Sequence, residues 1–515
     1  MGTLISRVTG LLRLSVLSWA LGISTLSDIF NLANNAPNTF FDLLIGGVLA
    51  STLVPVMVKA SSRVARDQAA EDLSALITVM TGALLIATLV FELISGPIIS
   101  AYLIGNHTPT KQIQVRAAVN LLRFFAPQLF FYGIVSLLTS LLNTKRHFAI
   151  PAYAPIINNF FAIVTFVVFR ISFSHVSSSQ EIIALSHSSP ELWLLGLGTT
   201  FGVVFQGLVI VYAIRKKDFG LRINFDLFNP AVREVLNLSG WTFGYVLANQ
   251  ISLFFILALA DAHSPGSVSS YNNSYLFFQL PYGIAAYSVM AAIIPDLAEN
   301  ITHGELSGFK RSLARGLRIS VSLLIPATAI YVSMSTPIVA LLLGHGAASA
   351  HGLKLTASSL VALALGLPGF GLFLGCIQAL QSARLAKSVF YVYLFENTVN
   401  IVLALGLVAK FGVFGLSLSV SIAYFFAAIM AYFTLAHYEL APRAKTIMLS
   451  WLKISVPSLI MGIVVWYLVK RLGTPHGVSL VIDVILELVT AAVSFGGVTL
   501  LIYISATLFT SRSSK

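Results

Sequence analysis

Charge is what this chain has least of. Only 10 % of its 515 residues are charged, where a soluble protein carries about a quarter. Apolar residues make up 57 % and mean hydropathy is +0.88, which excludes a water-soluble fold. The single cysteine, Cys376, excludes a disulfide within the chain and reads as a small buried filler. The ten histidines show no metal-ligand spacing such as H-E-x-x-H, so no metal is implied. The absence of a phosphate-cradling P-loop excludes direct ATP hydrolysis, and no cofactor is expected. No basic n-region precedes the first apolar segment, so no cleavable signal peptide is expected. Long apolar runs, in place of short alternating strands, leave an all-α polytopic membrane protein, because only helices or closed barrels satisfy their backbone in lipid.

Fourteen apolar segments are long enough to be spans, the first at 4–22 and the last two at 447–470 and 478–509. The net charge of +12 invites a nucleic-acid partner, but its distribution argues against one. With the N-terminus inside, 21 of the 31 basic residues fall in inner loops and the C-terminal tail, and 8 in outer loops and their flanks. That bias predicts both termini in the cytoplasm. The two basic residues left over, Arg7 and Arg13, interrupt the first span.

Polar residues are few, and they are patterned. In span 2 (27–58), Asp28, Asn31, Asn35, Asn38 and Asp42 recur at spacings of 3, 4, 3 and 4. On a helix all five fall within roughly 80° of one another. Ionisable groups at membrane depth are costly and mark a pathway for something polar. The ladder has a partner in span 8 (268–296), where Asn272, Tyr275, Gln279 and Tyr282 repeat the 3, 4, 3 spacing. Prolines recur with it: Pro37 and Pro281 lie 244 residues apart, Pro127 and Pro368 lie 241 apart. Six spans separate the copies, so the halves share one orientation, as in parallel transporter repeats. The expected organisation is two six-helix lobes, 1–218 and 219–440, around a central cavity, followed by two further helices in 441–515. Polar side chains bonding neighbouring helices explain one ladder equally well; two in corresponding spans favour a shared cavity.

Ser6-Arg7-Val8-Thr9-Gly10-Leu11-Leu12-Arg13 resembles the first-helix motif S-R-x-x-G-x-x-R-D of the MurJ/MviN lipid II flippases. Asp28 sits where that family has Thr-Asp-Ala-Phe, and Ala36-Pro37-Asn38 matches its Leu-Pro-Asn. Gly46-Gly47 through Val54-Pro55 resembles the end of its second helix. Asn143-Thr144 with Phe148-Ala149-Ile150-Pro151-Ala152-Tyr153-Ala154-Pro155 is similar to its N-T…F-x-x-P-A-x-A-P stretch. Gln279-Leu280-Pro281-Tyr282-Gly283 is similar to the span 8 signature of actinobacterial members. The resemblance covers about residues 4–440. It implies the fold of the multidrug/oligosaccharidyl-lipid/polysaccharide exporters, with the last two helices forming a groove for a polyprenyl tail. It also implies a location in the bacterial cytoplasmic membrane. The implied partner is lipid II, the undecaprenyl-diphosphate-linked peptidoglycan precursor, moved from inner to outer leaflet by alternating access.

Arginine suits a diphosphate, since its planar donors stay charged; amides and hydroxyls suit sugar and peptide. Arg7 and Arg13, six residues apart, point about 120° from each other and can clamp a head group from two sides. Alternatively one binds substrate while the other pairs with Asp28 or Asp42. Three positions depart from the family pattern: Leu14 replaces an aspartate, while Phe41 and Leu276 stand where many members have arginines. A coupling ion, Na+ or H+, has no assigned site; Asn397 with Asn400 and Asn158 with Asn159 are the candidates, and Glu396, Asp261, Asp483 and Glu487 are candidate carriers. The competing readings are an exporter of drugs or of another polyprenyl-linked saccharide on the same fold, and a membrane glycosyltransferase. The last should carry a catalytic acid on an outer loop, and the longest, about 173–190, has Glu181 as its interior acid.

Overall fold

The computed structural model describes residues 2–46, 66–144, 147–173, 178–216, 221–233, 240–472 and 478–512. The expected end of span 2, with Pro55, Lys59 and Arg63, lies outside the described residues, as do Lys145 and Arg146. Every regular element among the described residues is helical. Among the described residues ten helices are long and apolar enough to cross a membrane, and eleven if the bent pair 350–365 and 367–382 counts as one. The fourteen expected spans exceed that number for identifiable reasons. The helices 2–21 and 25–41 carry the polar residues singled out above and are not among those ten. The 52-residue helix 386–437 is two legs merged across Gly412, whose φ of 57° and ψ of −136° break it.

The chain forms two compact units, 1–269 with 345–349, and 270–344 with 350–515. The division falls one helix beyond the 218/219 boundary read from the proline repeat. The first unit contains α1 (Gly2–Leu21), α2 (Thr25–Phe41), α3 (Arg66–Leu93), α4 (Ser95–Tyr102), α5 (Lys111–Thr144), α6 (Ala149–Phe173), α7 (Ser178–Leu185), α8 (Pro190–Lys216) and α9 (Gly240–His263). α1 packs on α6, α6 on α8, α8 on α5, and α5 on α2 and α3. A cluster built on Leu73, Leu76, Leu84, Leu137, Leu141 and Ile210 fills the space between α3, α5 and α8. Glycines let α8 approach its neighbours. A Cβ at Gly196 would fall 2.5 Å from the Phe124 ring, and one at Gly202 would fall 2.7 Å from Asn158 Oδ1 and 3.0 Å from its carbonyl.

The second unit holds most of α10 (Ser267–Pro281), then α11 (Tyr287–Thr302), α12 (Leu306–Leu343), α13 (Ala350–Leu365), α14 (Leu367–Ser382), α15 (Ala386–His437), α16 (Ala444–Leu472) and α17 (Val478–Arg512). α12 is its spine, packing against α11, α13, α14 and α16. The two C-terminal helices pack on each other and on α12, where Met334, Met461, Val465, Leu480 and Val484 form a buried cluster. Outward faces are apolar: Leu85, Ile86, Leu89 and Leu93 on α3 and Leu452, Leu459 and Ile463 on α16 are all exposed, the surface expected of helices in lipid.

Both proline-bearing ladders end in the same local device. α2 carries Pro37 and runs into a π-helical turn at Asp42–Gly46. α10 ends at Pro281 and runs into one at Tyr282–Ala286. Proline removes a backbone donor, and single π turns are frequent at functional sites.

The α8 crossing yields a prediction. Gly202→Val would press a side chain into the Asn158 backbone, which cannot swing aside. The expected cost is about 1–3 kcal/mol, read as a lower Tm of the purified protein. An unchanged Tm would mean that α6 and α8 are free to separate there.

Candidate functional site

The first-helix motif divides its residues between packing and presentation. The Asn159 amide on α6 donates to the Ser6 carbonyl at 3.2 Å and to Thr9 Oγ1 at 2.9 Å, and Thr9 itself donates to the Ser6 carbonyl at 3.0 Å. These bonds pin α1 to α6, so Asn159 is occupied as a helix fastener. Arg7 is exposed and Arg13 half-buried. Arg13 meets neither Asp28 nor Asp42: the group its charge acts on is the Tyr132 phenol of α5. Among the described residues no ion pair joins Arg7 or Arg13 to Asp28 or Asp42.

Tyr132 is held by a chain of hydrogen bonds. Its hydroxyl donates to Gln128 Oε1 at 3.2 Å, Gln128 Nε2 donates to Thr200 Oγ1 at 2.9 Å, and Thr200 donates to the Phe124 carbonyl at 2.7 Å. With its proton directed at Gln128, the Tyr132 oxygen keeps lone pairs for donors. Asn38 faces the same hydroxyl. Arg13, Asn38 and Tyr132 thus form one group. Tyr132 is not among the residues that sequence reasoning singled out, although Gln128 and Tyr132, one turn apart just after Pro127, were a legible polar pair.

The α2 ladder runs from buried to open. Asp28 is 2 % exposed and accepts from Gly266 N at 2.6 Å, Ser269 N at 2.8 Å and Ser269 Oγ at 2.6 Å. Ser27 Oγ lies 2.7 Å from the same hydroxyl oxygen, and Asn31 donates to it at 3.2 Å. The first half of the ladder therefore staples the segment 266–269. A second segment, 345–349, holds the neighbouring α1–α2 turn: Ala347 N donates to the Trp19 carbonyl at 3.0 Å, and Gly22, at φ 72°, lies against Ala347. Further along, Asn35 is half-buried with no hydrogen bond among the described residues, and the Asn38 amide donates back to Asn34 O at 2.9 Å. Asp42 is exposed and accepts from Gln250 on α9 at 3.3 Å.

In the second unit the α10 ladder has no cation. Tyr275 Oη lies 3.3 Å from Tyr424 Oη on α15 and stacks on Tyr271, and Gln279 is exposed beside it. Asn272 Nδ2 is buried without a hydrogen-bond partner among the described residues. Glu396, on α15, acts on Tyr271, Tyr275 and Tyr424 and is 5 % exposed. Asn400 accepts from Ser419 at 2.9 Å. Leu276 is exposed and apolar at the position where many family members carry an arginine.

Glu181 lies on the short helix α7, outside the spans, and is 5 % exposed. Burial raises its pKa to about 7, with Arg170 opposing and Glu191 adding to the rise. It is enclosed, not poised at a surface.

An outward apolar surface, many long helices and a polar stripe drawn from α1, α2 and α5 define a multi-pass membrane protein with a polar interior. Solved structures share this fold. A lipid II flippase MurJ in an inward closed conformation superposes with a TM-score of 0.76 at 23 % identity, covering 98 % of each chain. An inward-facing multidrug resistance MATE family transporter reaches 0.63 at 15 %, covering 88 % of this chain and 98 % of its own. Among relatives, the lipid II flippase MurJ of Burkholderia cenocepacia is 26 % identical over 372 residues, 71 % of this chain and 69 % of that protein. The probable lipid II flippase MurJ of Rhizobium tropici is 26 % identical over 481 residues, 91 % and 85 % respectively. The family model described as lipid II flippase MurJ matches residues 17–486, and the chain belongs to that family. The match begins after Arg13, so the role of the α1 arginines rests on the geometry above.

Two of these contacts can be tested directly. Asp28→Ala should leave Gly266 N and Ser269 N without their acceptor and speed amide exchange of 266–269 by about tenfold or more, as removal of a charged acceptor costs roughly 1.5–3 kcal/mol; unchanged exchange would show that the staple is not holding the segment. For Glu181, the folded state binds the proton more tightly than the unfolded chain, so stability falls as pH rises from about 4.5 to about 7 and is then level. Glu181→Gln should flatten that region of a Tm–pH profile, and an identical profile would assign the slope to another group.

Proposed function

We propose that this chain is a flippase that moves lipid II from the inner to the outer leaflet of the bacterial cytoplasmic membrane by alternating access, with both termini cytoplasmic. The observation that carries this reading is a half-buried arginine, Arg13, without a carboxylate partner among the described residues, grouped with the amide of Asn38 and the phenol of Tyr132. A cation in low dielectric that is not neutralised by its own protein is suited to an anionic headgroup. Family membership supports a polyprenyl diphosphate carrying sugar and peptide as that anion.

In this reading Arg13 takes the diphosphate, and exposed Arg7 first draws it from the inner headgroup region. Asn35, Asn38 and Tyr132 bond the sugar hydroxyls. Asp42 accepts from substrate amides and hydroxyls. Asp28 and Asn31 shape the site by fixing the start of α2. Asn272, Tyr275 and Gln279 supply neutral hydrogen bonds to the peptide. The polyprenyl tail lies along α16 and α17, whose exposed side chains include Leu452, Leu459, Ile463, Val481, Ile485 and Val489. A drug exporter fits less well, since cationic drugs favour an acidic site. A glycosyltransferase fits less well because Glu181 is enclosed.

The test is the leaflet distribution of lipid II in cells depleted of the protein, read by cleavage with an added lipid II-degrading toxin. Depletion should trap lipid II inside, wild type should restore cleavage, and Arg13→Ala should restore at most about a tenth, the loss of one charge-assisted contact. Outward-facing lipid II in depleted cells would end the flippase reading. Full rescue by Arg13→Ala at equal expression would end the role of Arg13 alone.

A further inference from the structure

α12 is too long for a bilayer. Its 38 residues extend about 57 Å, against a hydrocarbon core of about 30 Å. Counting back from Leu343, Arg318 lies about 38 Å away along the axis, which is the depth of the opposite headgroups. There α12 and α16 border a cavity of about 250 Å³ that is open to the outside and lined by Arg315, Arg318, Ile319, Ser322, Leu323 and Ser450. The five α12 residues follow i, i+3, i+4, i+7, i+8, one continuous face about 12 Å long. Its chemistry is graded: two guanidiniums at one end, then Ile319 and Leu323, both exposed aliphatics, toward the core of the membrane.

Neither arginine is neutralised by a carboxylate among the described residues. Arg318 Nε donates to the Ala314 carbonyl of its own helix at 3.2 Å, which fixes the side chain and leaves both terminal nitrogens for another acceptor. Across the cavity, Ser450 Oγ donates to the Thr446 carbonyl at 3.1 Å, which commits its proton and leaves its lone pairs to accept. Two cations, one hydroxyl-accepting oxygen and an apolar wall in that order match a phosphate, a headgroup hydroxyl and an acyl chain.

We infer that this cavity is a binding site for an anionic phospholipid of the cytoplasmic leaflet, its phosphate on Arg315 and Arg318, a headgroup hydroxyl on Ser450, and an acyl chain along Ile319 and Leu323. The site lies within the second unit, on its lipid-facing side, and does not depend on the flippase reading. Basic pockets between spans on the cytoplasmic side take acidic headgroups for the same electrostatic reason.

The full-length protein in nanodiscs of equal parts phosphatidylglycerol and phosphatidylcholine, released into detergent and weighed by native mass spectrometry, tests this. Wild type should retain phosphatidylglycerol over phosphatidylcholine, and R315A/R318A should lose that preference by roughly 30-fold, about 1 kcal/mol per arginine. R315K/R318K, which keeps charge and fold but not the guanidinium fork, should retain some of it. Equal retention by wild type and R315A/R318A would overturn the site. So would displacement of the arginine-dependent phosphatidylglycerol by undecaprenyl diphosphate at equal concentration, since the anion would then be the polyprenyl carrier. Failure of displacement together with loss in R315A/R318A supports the phospholipid.

Discussion

The Asp28 carboxylate organises the first unit. A buried carboxylate without partners costs several kcal/mol, so its position is tolerated only where donors converge. Three do: two backbone N–H groups and one hydroxyl, all from a segment some 240 residues away in sequence. Asp28 also lies in the first turn of α2, where the helix dipole favours negative charge. The Ser269 hydroxyl donates to Asp28 and accepts from Asn31, and the Ser27 hydroxyl lies 2.7 Å from the same oxygen. The start of α2 is rigid for that reason, and the Ser24–Ser27 capping box adds to it.

The far end of α2 is built in the opposite sense. Pro37 withholds a backbone donor and the helix relaxes into a π turn at Asp42–Gly46. Asn35, Asn38 and Asp42 sit on this looser half, progressively more open. One stripe of five residues thus divides into a structural half and a solvated half. α10 repeats the proline and the π turn but fills its ladder with phenols around Glu396. The two ladders share a backbone device and differ in charge: the first brings a cation and two acids, the second brings neutral donors and one enclosed acid.

The fold class and the stripe were legible because both depend on local pattern. Apolar runs of span length identify helices in lipid, and a 3, 4, 3, 4 spacing places five residues on one face whatever the tertiary structure. The family resemblance was legible in the same way, through short contiguous motifs. What was not legible depends on long-range pairing. No spacing rule tells that Asp28 bonds residues 266–269 instead of Arg13, or that Asn159 fastens α1. The 218/219 boundary marks the repeat of prolines, whereas α9 belongs to the first compact unit because it packs against α2, α4 and the π turn. Among the described residues ten or eleven helices meet the length and hydropathy of a span; α1 and α2 fall outside them, and α15 counts once although Gly412 breaks it into two legs.

The absence of an acid beside Arg13 has a physical meaning. Leu14, in the position where the family pattern has aspartate, is buried and carries no polar group. A carboxylate there would have neutralised the guanidinium and competed with any anion for its donors. Tyr132 does neither: it is a neutral phenol whose proton goes to Gln128, so it leaves the charge of Arg13 in place. Arg13 therefore lies near a neutral phenol and is left electrostatically unsatisfied among the described residues, a state that costs stability in the empty protein and that an anionic ligand would relieve. Binding energy that comes from relieving such a site is lost again when the anion leaves. That suits a carrier, which must release what it binds, better than a receptor built for tight retention.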